Sequence, residues 1–155
     1  EYYLLHAPAY IADDRLKESL RNESHIKYVF DLMNNMNVAL LGIGGLDEEC
    51  TIKQTGYCTS DEIARMKNKG IVGDICAQVF DLNGNTDDYF NKNIFGYKIA
   101  NLKKIDNRIG VSGGGEKVDV ICGAILGGFI NILITDYSTA EKVLKKYDTI
   151  KTKIK

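Results

Sequence analysis

Apolar positions along this chain fall into two rhythms, and the alternation between them predicts the architecture. Residues 37–43, Asn-Val-Ala-Leu-Leu-Gly-Ile, form an unbroken apolar run ending in glycines, as expected for a strand buried on both faces. Ile75–Phe80, Arg108–Ser112 and Ile130–Thr135 are three further strand candidates, and Asn83-Gly84 signals a turn after the first of these. Between them the spacing becomes helical. Ile26, Val29, Phe30 and Met33 keep an i, i+3, i+4, i+7 stripe, as do Val118, Ile121, Cys122 and Ile125, and Ala140, Val143, Leu144 and Tyr147. Thr59-x-x-Glu62 and Ser138-x-x-Glu141 read as capping boxes, and Gly70 closes the helix begun near Ser60. Strands alternating with helices predict an α/β fold: a mainly parallel sheet with helices on both faces.

In such sheets ligands bind beyond the carboxyl ends of the strands. That rule selects three loops: Gly42 to Asp47, Gly73-Asp74, and Ser112 to Lys117. In Ser112-Gly113-Gly114-Gly115-Glu116-Lys117, glycines let backbone N–H groups approach an anion at a helix start, and Lys117 can reach back as a point charge. The alternative is a tight strand-helix turn with a solvated lysine. It is not a Walker A loop, because Glu116 stands where lysine is required. Gly42-Ile43-Gly44-Gly45 lacks the third glycine of a dinucleotide fingerprint, since Asp47 occupies that position; it is either a flexible loop or a wall closing on a small ligand. Asp74 and Asp136 are single carboxylates near strand ends, each suited to accepting sugar hydroxyls, to acting as a base or to capping. For Asp136, just before a helix, the structural role is favoured.

The remaining features narrow the classes. A length of 155 residues suits one domain, and no apolar run approaches the roughly 20 residues of a membrane span. The N-terminus has no signal-peptide pattern and no starting Met, which reads as an excised or processed piece. Twenty Lys and Arg against 21 Asp and Glu leave a net charge of −1, without the basic surplus of a nucleic-acid-binding domain. The one basic stretch, Lys142, Lys145, Lys146, Lys151, Lys153 and Lys155, reads as a solvated helix end running into a frayed terminus. Cys50, Cys58, Cys76 and Cys122 contain no CxxC; Cys76 and Cys122 read as small buried hydrophobes in a reducing, cytoplasmic protein. His25 falls at a helix start and His6 at the end of a strand. No catalytic set and no metal cluster assembles, and a calcium loop at Asp81–Asp87 is rejected because Lys92 stands where a bidentate Glu belongs.

Taken in order, Pro8-Ala9-Tyr10, Val38–Gly44, Gly70–Cys76 with Phe80-Asp81 and Gly84, Ile109–Lys117, and Leu133–Asp136 with Ala140 resemble the effector-binding domain of SorC/DeoR-type bacterial transcriptional regulators. The resemblance runs from about Leu5 to Leu144. It implies the fold shared by glucosamine-phosphate deaminases, ribose-phosphate isomerases and CoA transferases. It further implies binding of a phosphorylated sugar or sugar alcohol that controls DNA binding by a helix-turn-helix domain absent here, in a homodimer or homotetramer without further cofactors. Carried over by position, Gly113, Gly114, Gly115 and Lys117 line the sugar site, Asp74 accepts hydroxyls, and Gly44 and Gly45 form a wall. Residues 1–147 are then the effector domain, without its first strand and phosphate loop, and 148–155 a basic tail. Many relatives have Asn-x-Arg where this chain has Asn91-Lys92-Asn93, and Lys92 is the candidate replacement. The rivals are a phosphosugar isomerase or deaminase with Asp74 as base and Lys117 as clamp, and a pure oligomerisation module. Whether Lys117 acts by charge or through an imine stays open.

Overall fold

The computed structural model describes residues 1–47 and 50–154. After an irregular arm come α1 (Asp14–Asn22), α2 (Ser24–Asn34), β1 (Val38–Gly42), the two-residue β2 (Gly44–Gly45), α3 (Thr51–Gln54) and α4 (Ser60–Asn68). Then follow β3 (Ile71–Ile75), β4 (Gln78–Asp81), α5 (Asp88–Asn91), a 3-10 turn at Ile99–Lys104 and β5 (Asn107–Val111). A second 3-10 turn, Gly115–Lys117, leads into α6 (Val118–Leu126), β6 (Ile132–Ile134) and α7 (Tyr137–Ile154).

The expected α/β class is the one found. Strands β1, β5 and β6 form a parallel sheet in the order β1-β5-β6, and β2, β3 and β4 add a small antiparallel sheet. One face of the parallel sheet, with Ala39 and Leu41, packs with Ile99, Leu102, Ile121, Cys122 and Phe129 in the main core. Ile75 and Phe80 join the two sheets through this core. A second cluster, Leu46, Cys50, Ile52, Ile63, Met66, Ile71 and Val79, lies beneath α3 and α4. A third, Ile11, Ile26, Phe30 and Phe95, seats the N-terminal arm and α2.

Several local expectations hold. Thr59 and Glu62 form the reciprocal capping box of α4, and Gly70, with φ +81°, follows its last turn. Ile26, Val29 and Phe30 are buried on α2, with His25 in its first turn. Others are corrected. Residues 75–80 are two strands joined by a turn at Cys76 and Ala77, with φ of 53° and 60°. Cys76 is therefore exposed, whereas Cys122 is fully buried. On α7 Val143 is buried but Leu144 is 64% exposed. That helix is capped by Asp136, whose carboxylate accepts from Thr139 N at 2.9 Å, so Ser138 falls inside its first turn. His6 belongs to no strand. The basic stretch through Ile154 is the last turns of α7, held in part by Ile150 against the main core; Lys155 lies outside the described residues. No helix among the described residues is long and apolar enough to cross a membrane.

The expectation of burial on both faces fails for β1. Val38 is 53% and Leu40 71% exposed. The register places Leu40 beside Ile109, Gly42 beside Val111, Ile109 beside Ile132, and Val111 beside Ile134, so all of these share that outward face.

Candidate functional site

The carboxyl ends of the parallel strands bring together the three loops selected from the sequence. Ser112 N donates to Ile134 O at 3.2 Å, and its hydroxyl donates to Ile43 O at 3.3 Å, tying the ends of β1, β5 and β6 into one platform. On this platform Gly44 pairs with Asp74 and Gly45 with Gly73 across β2 and β3. Consecutive strand residues face opposite ways. A Cβ at Gly44 would collide with the Asp74 carboxylate, and one at Gly45 would stand 3.1 Å from Lys117 Nζ. Bare glycine backbone is thus what stands between a carboxylate and an ammonium. Gly73 is required for the same closeness, since a Cβ there would strike the Gly44 carbonyl and the Val120 side chain.

Asp74 sits at the mouth of the β3–β4 turn and accepts from Ala77 N at 3.0 Å. Burial pushes its carboxyl above the usual aspartate value; the Ala77 bond and the field of Lys117 work against that rise. Lys117, one 3-10 turn into the glycine loop, pairs with Asp47 at 3.1 Å. A groove of about 420 Å³ opens beside this pair, lined among others by Gly45, Asp47, Lys67, Glu116 and Asp119.

The glycine loop itself is more occupied than its sequence implies. Gly114, with φ +109°, has a conformation that favours glycine, and its N–H donates to Thr139 Oγ1 at 2.9 Å and Asp136 Oδ2 at 3.2 Å. Asp136 also accepts from the Thr139 and Ser138 hydroxyls at 2.6 and 2.7 Å, and these bonds, Thr139's first, hold its carboxyl far below the usual range. Asp136 is therefore structural, as favoured from sequence. A Cβ at Gly115 would meet Lys142 Nζ at 2.9 Å, and one at Gly113 would meet Asp136 Oδ2 at 2.8 Å with Thr135 Oγ1 at 3.8 Å. That Thr135 hydroxyl is buried and has no hydrogen-bond partner among the described residues.

Gly44, Gly45, Asp74 and Lys117 thus stand together, with Gly113–Gly115 alongside and braced from α7. Lys92 is elsewhere: its ammonium lies 5.0 Å over the Tyr89 ring, and it lines a cleft of about 300 Å³ with Arg21 and Lys98. His6 lines a separate groove with Tyr2, Tyr3, His25 and Tyr28. Asp47 as the partner of Lys117, and Thr139 as the brace of Gly114, carried no sequence signal, because the paired residues lie 70 and 25 positions apart with whole strands and helices between them.

Residues 1–145 match the family described as "Putative sugar-binding domain". The chain is 32% identical over 130 residues to the deoxyribonucleoside regulator of Bacillus subtilis, covering 83% of this chain and 41% of that protein. It is 29% identical to the sorbitol operon regulator of Klebsiella pneumoniae, covering 94% and 46%. Among solved structures, the sugar-binding domain of a transcriptional repressor from Vibrio fischeri shares 31% identity at a TM-score of 0.80, covering 93% of this chain and 58% of that one. The full-length sorbitol operon regulator SorC from K. pneumoniae aligns at a TM-score of 0.79 with 29% identity, covering 88% and 45%. The chain spans less than half the length of the curated relatives it matches. With the strand-end platform and its glycine, aspartate and lysine positions in the order quoted above, these likenesses place the chain in the sugar-binding domain family of SorC/DeoR-type transcriptional regulators.

Proposed function

We propose that this chain is the effector-binding portion of a cytoplasmic sugar-operon regulator. It takes a phosphorylated sugar or sugar alcohol at Gly44, Gly45, Asp74, Gly113–Gly115 and Lys117, and the ligand controls DNA binding by a helix-turn-helix domain in the longer protein. The observation that carries the reading is the pair of bare glycines at the strand ends, with the Asp74 carboxylate against Gly44 and the Lys117 ammonium against Gly45, so that a carboxylate and an ammonium flank the same short stretch of backbone. A carboxylate accepts sugar hydroxyls, and an ammonium attracts a phosphate ester. Relatives are named a deoxyribonucleoside regulator and a sorbitol operon regulator, names that fit a ligand built on a sugar or sugar alcohol. The longer protein self-associates through surfaces of this domain.

The domain reading includes a further strand and phosphate loop before residue 1. Support comes from the open edge of β1, the outward apolar face of the parallel sheet, and the 58% of the V. fischeri domain that this chain spans.

A thermal-shift screen against sugar and sugar-alcohol phosphates, with Lys117→Ala as control, tests the site. A ligand at 100-fold its dissociation constant adds about 2.7 kcal/mol. The expected result is a stabilising ester whose effect disappears in the mutant and which is recovered unchanged after incubation. A flat screen that stays flat for an N-terminally extended chain refutes the reading. The raised Asp74 carboxyl is the feature that favours an isomerase or deaminase instead, since a general base needs such a shift. Turnover of ribose 5-phosphate or glucosamine 6-phosphate, lost in Asp74→Asn, would select that reading.

A further inference from the structure

A second concentration of charge lies apart from the strand-end platform, in the cleft of about 300 Å³ that Arg21, Lys92 and Lys98 share with Asp88. Three segments assemble it: the last turn of α1, α5 with the residue that follows it, and the chain entering the first 3-10 turn. Its walls are fixed by lining side chains that use up their own hydrogen-bonding groups. The Asn91 amide accepts from Val79 N at 2.7 Å and donates to Val79 O at 3.0 Å. Gln78, buried on β4, donates to Tyr97 O at 2.8 Å and accepts from Ile99 N at 3.0 Å. Lys17 of α1 donates to the Lys92 carbonyl at 2.7 Å and ties the first segment to the second. The cleft is therefore preformed, with each of its segments anchored.

What this frame presents is positive charge. The guanidinium carbon of Arg21 lies 4.3 Å from the centre of the Phe30 ring and 5.3 Å from that of Phe95, two buried rings that meet edge to face. Aromatic faces hold a guanidinium in place without consuming its N–H donors. Among the described residues Lys17, Lys69, Lys117 and Lys146 are in ion pairs, whereas Arg21, Lys92 and Lys98 are in none. Asp88 is the one carboxylate among the described residues that line the cleft. Three cations against one carboxylate leave a surplus of two positive charges, and a cleft lined by one sign of charge concentrates the opposite ion.

We propose that this cleft is an anion site separate from the platform and takes a phosphate dianion, as the free ion or as a small ester. The surplus charge matches a dianion. The guanidinium fork matches two phosphate oxygens, and the two lysines act as point charges. The volume lies at the lower end for small-molecule sites, which suits a phosphate with a short organic body. The inference is independent of the sugar-phosphate reading, because Lys117, Asp74 and the site glycines line none of this cleft.

The Lys117→Ala chain, which lacks the platform's ammonium, isolates the cleft. Phosphorus NMR titration of that chain with inorganic phosphate and with glycerol 3-phosphate should show saturable binding. Lys98→Gln and Arg21→Lys on the same background should each weaken it about tenfold, the second because lysine keeps the charge and loses the fork. Circular dichroism identical to that of the parent should accompany Lys98→Gln, whose side chain is exposed. Tighter binding of glycerol 3-phosphate assigns the cleft to an ester and tighter binding of inorganic phosphate to the free ion; both uphold the proposal. No saturable binding in the Lys117→Ala chain would overturn it, as would binding indifferent to both substitutions. Chloride displacing phosphate as readily as sulfate does would mark a diffuse ion atmosphere and overturn it too. Cleft binding that persists while every sugar phosphate fails at the platform would uphold this inference and refute the site reading alone.

Discussion

Asp74 is a half-buried carboxyl whose partners only partly offset the water it has lost, and its ionisation therefore costs the folded state. Its folded-state value lies above the ordinary 3.8, with burial the largest cause. The sign follows from linkage: the folded protein holds this proton more tightly, so the contribution is fully present below pH 3.8 and is lost as pH rises through the folded-state value. Asp74→Asn removes that loss. The mutant should melt close to wild type near pH 3.5 and progressively above it as the pH approaches 7. Melting curves across that range check the point, and a difference that is constant with pH would refute it. The placement of Asp74 and Lys117 beside glycines at the strand ends was legible in the sequence, because charge next to glycine after an apolar run is a local pattern. The salt bridge of Lys117 with Asp47 was not, since it joins residues 70 positions apart.

Among the elements, the β3–β4 hairpin shows where apolar pattern fails as a guide. Ile75–Phe80 reads as one strand because Cys76 and Ala77 are small and apolar and carry none of the Asn-Gly chemistry of a tight turn. The structure nevertheless turns there, with both residues at positive φ. Left-handed backbone costs an L-residue roughly 1–2 kcal/mol, and the turn is maintained by the ladder on both sides and by the Asp74 bond to Ala77 N. Ala77→Gly should relieve that cost, less the roughly 0.4–1 kcal/mol of added backbone entropy, for a net gain of about 1 kcal/mol. In a chain of this size the gain is a rise in Tm of about 2–4 °C. A fall in Tm would show that the methyl of Ala77, packed against the cluster beneath α4, outweighs the strain. The helix starts tell the complementary story. Thr59 and Glu62 cap α4 as their spacing predicts, whereas Ser138 loses to Asp136, a charged acceptor at the junction that also captures Thr139 and Gly114.

At the scale of the whole molecule, the parallel sheet has one face in the core and an outward face carrying Val38, Leu40, Val111, Ile132 and Ile134, each 42% or more exposed. The continuous apolar run at 37–43 predicted a strand covered twice, and it is covered once here; the pattern is that of a buried parallel strand even where the cover is missing. Exposed apolar sheet of this kind marks an interaction surface. Under the proposed domain reading, the preceding strand and its crossover helix supply the cover in the longer protein, and Leu40, at 71% exposure, is the sharpest probe. In the 155-residue chain Leu40→Lys places a charge in solvent and should shift stability by no more than about 0.5 kcal/mol. In the N-terminally extended domain the same change buries an unpaired ammonium and should cost roughly 3–5 kcal/mol. Urea midpoints for both lengths, with and without the substitution, measure the difference directly. An equal, small effect in both would mean that this face stays open in the longer protein, and the proposed first strand and crossover would then have to lie elsewhere.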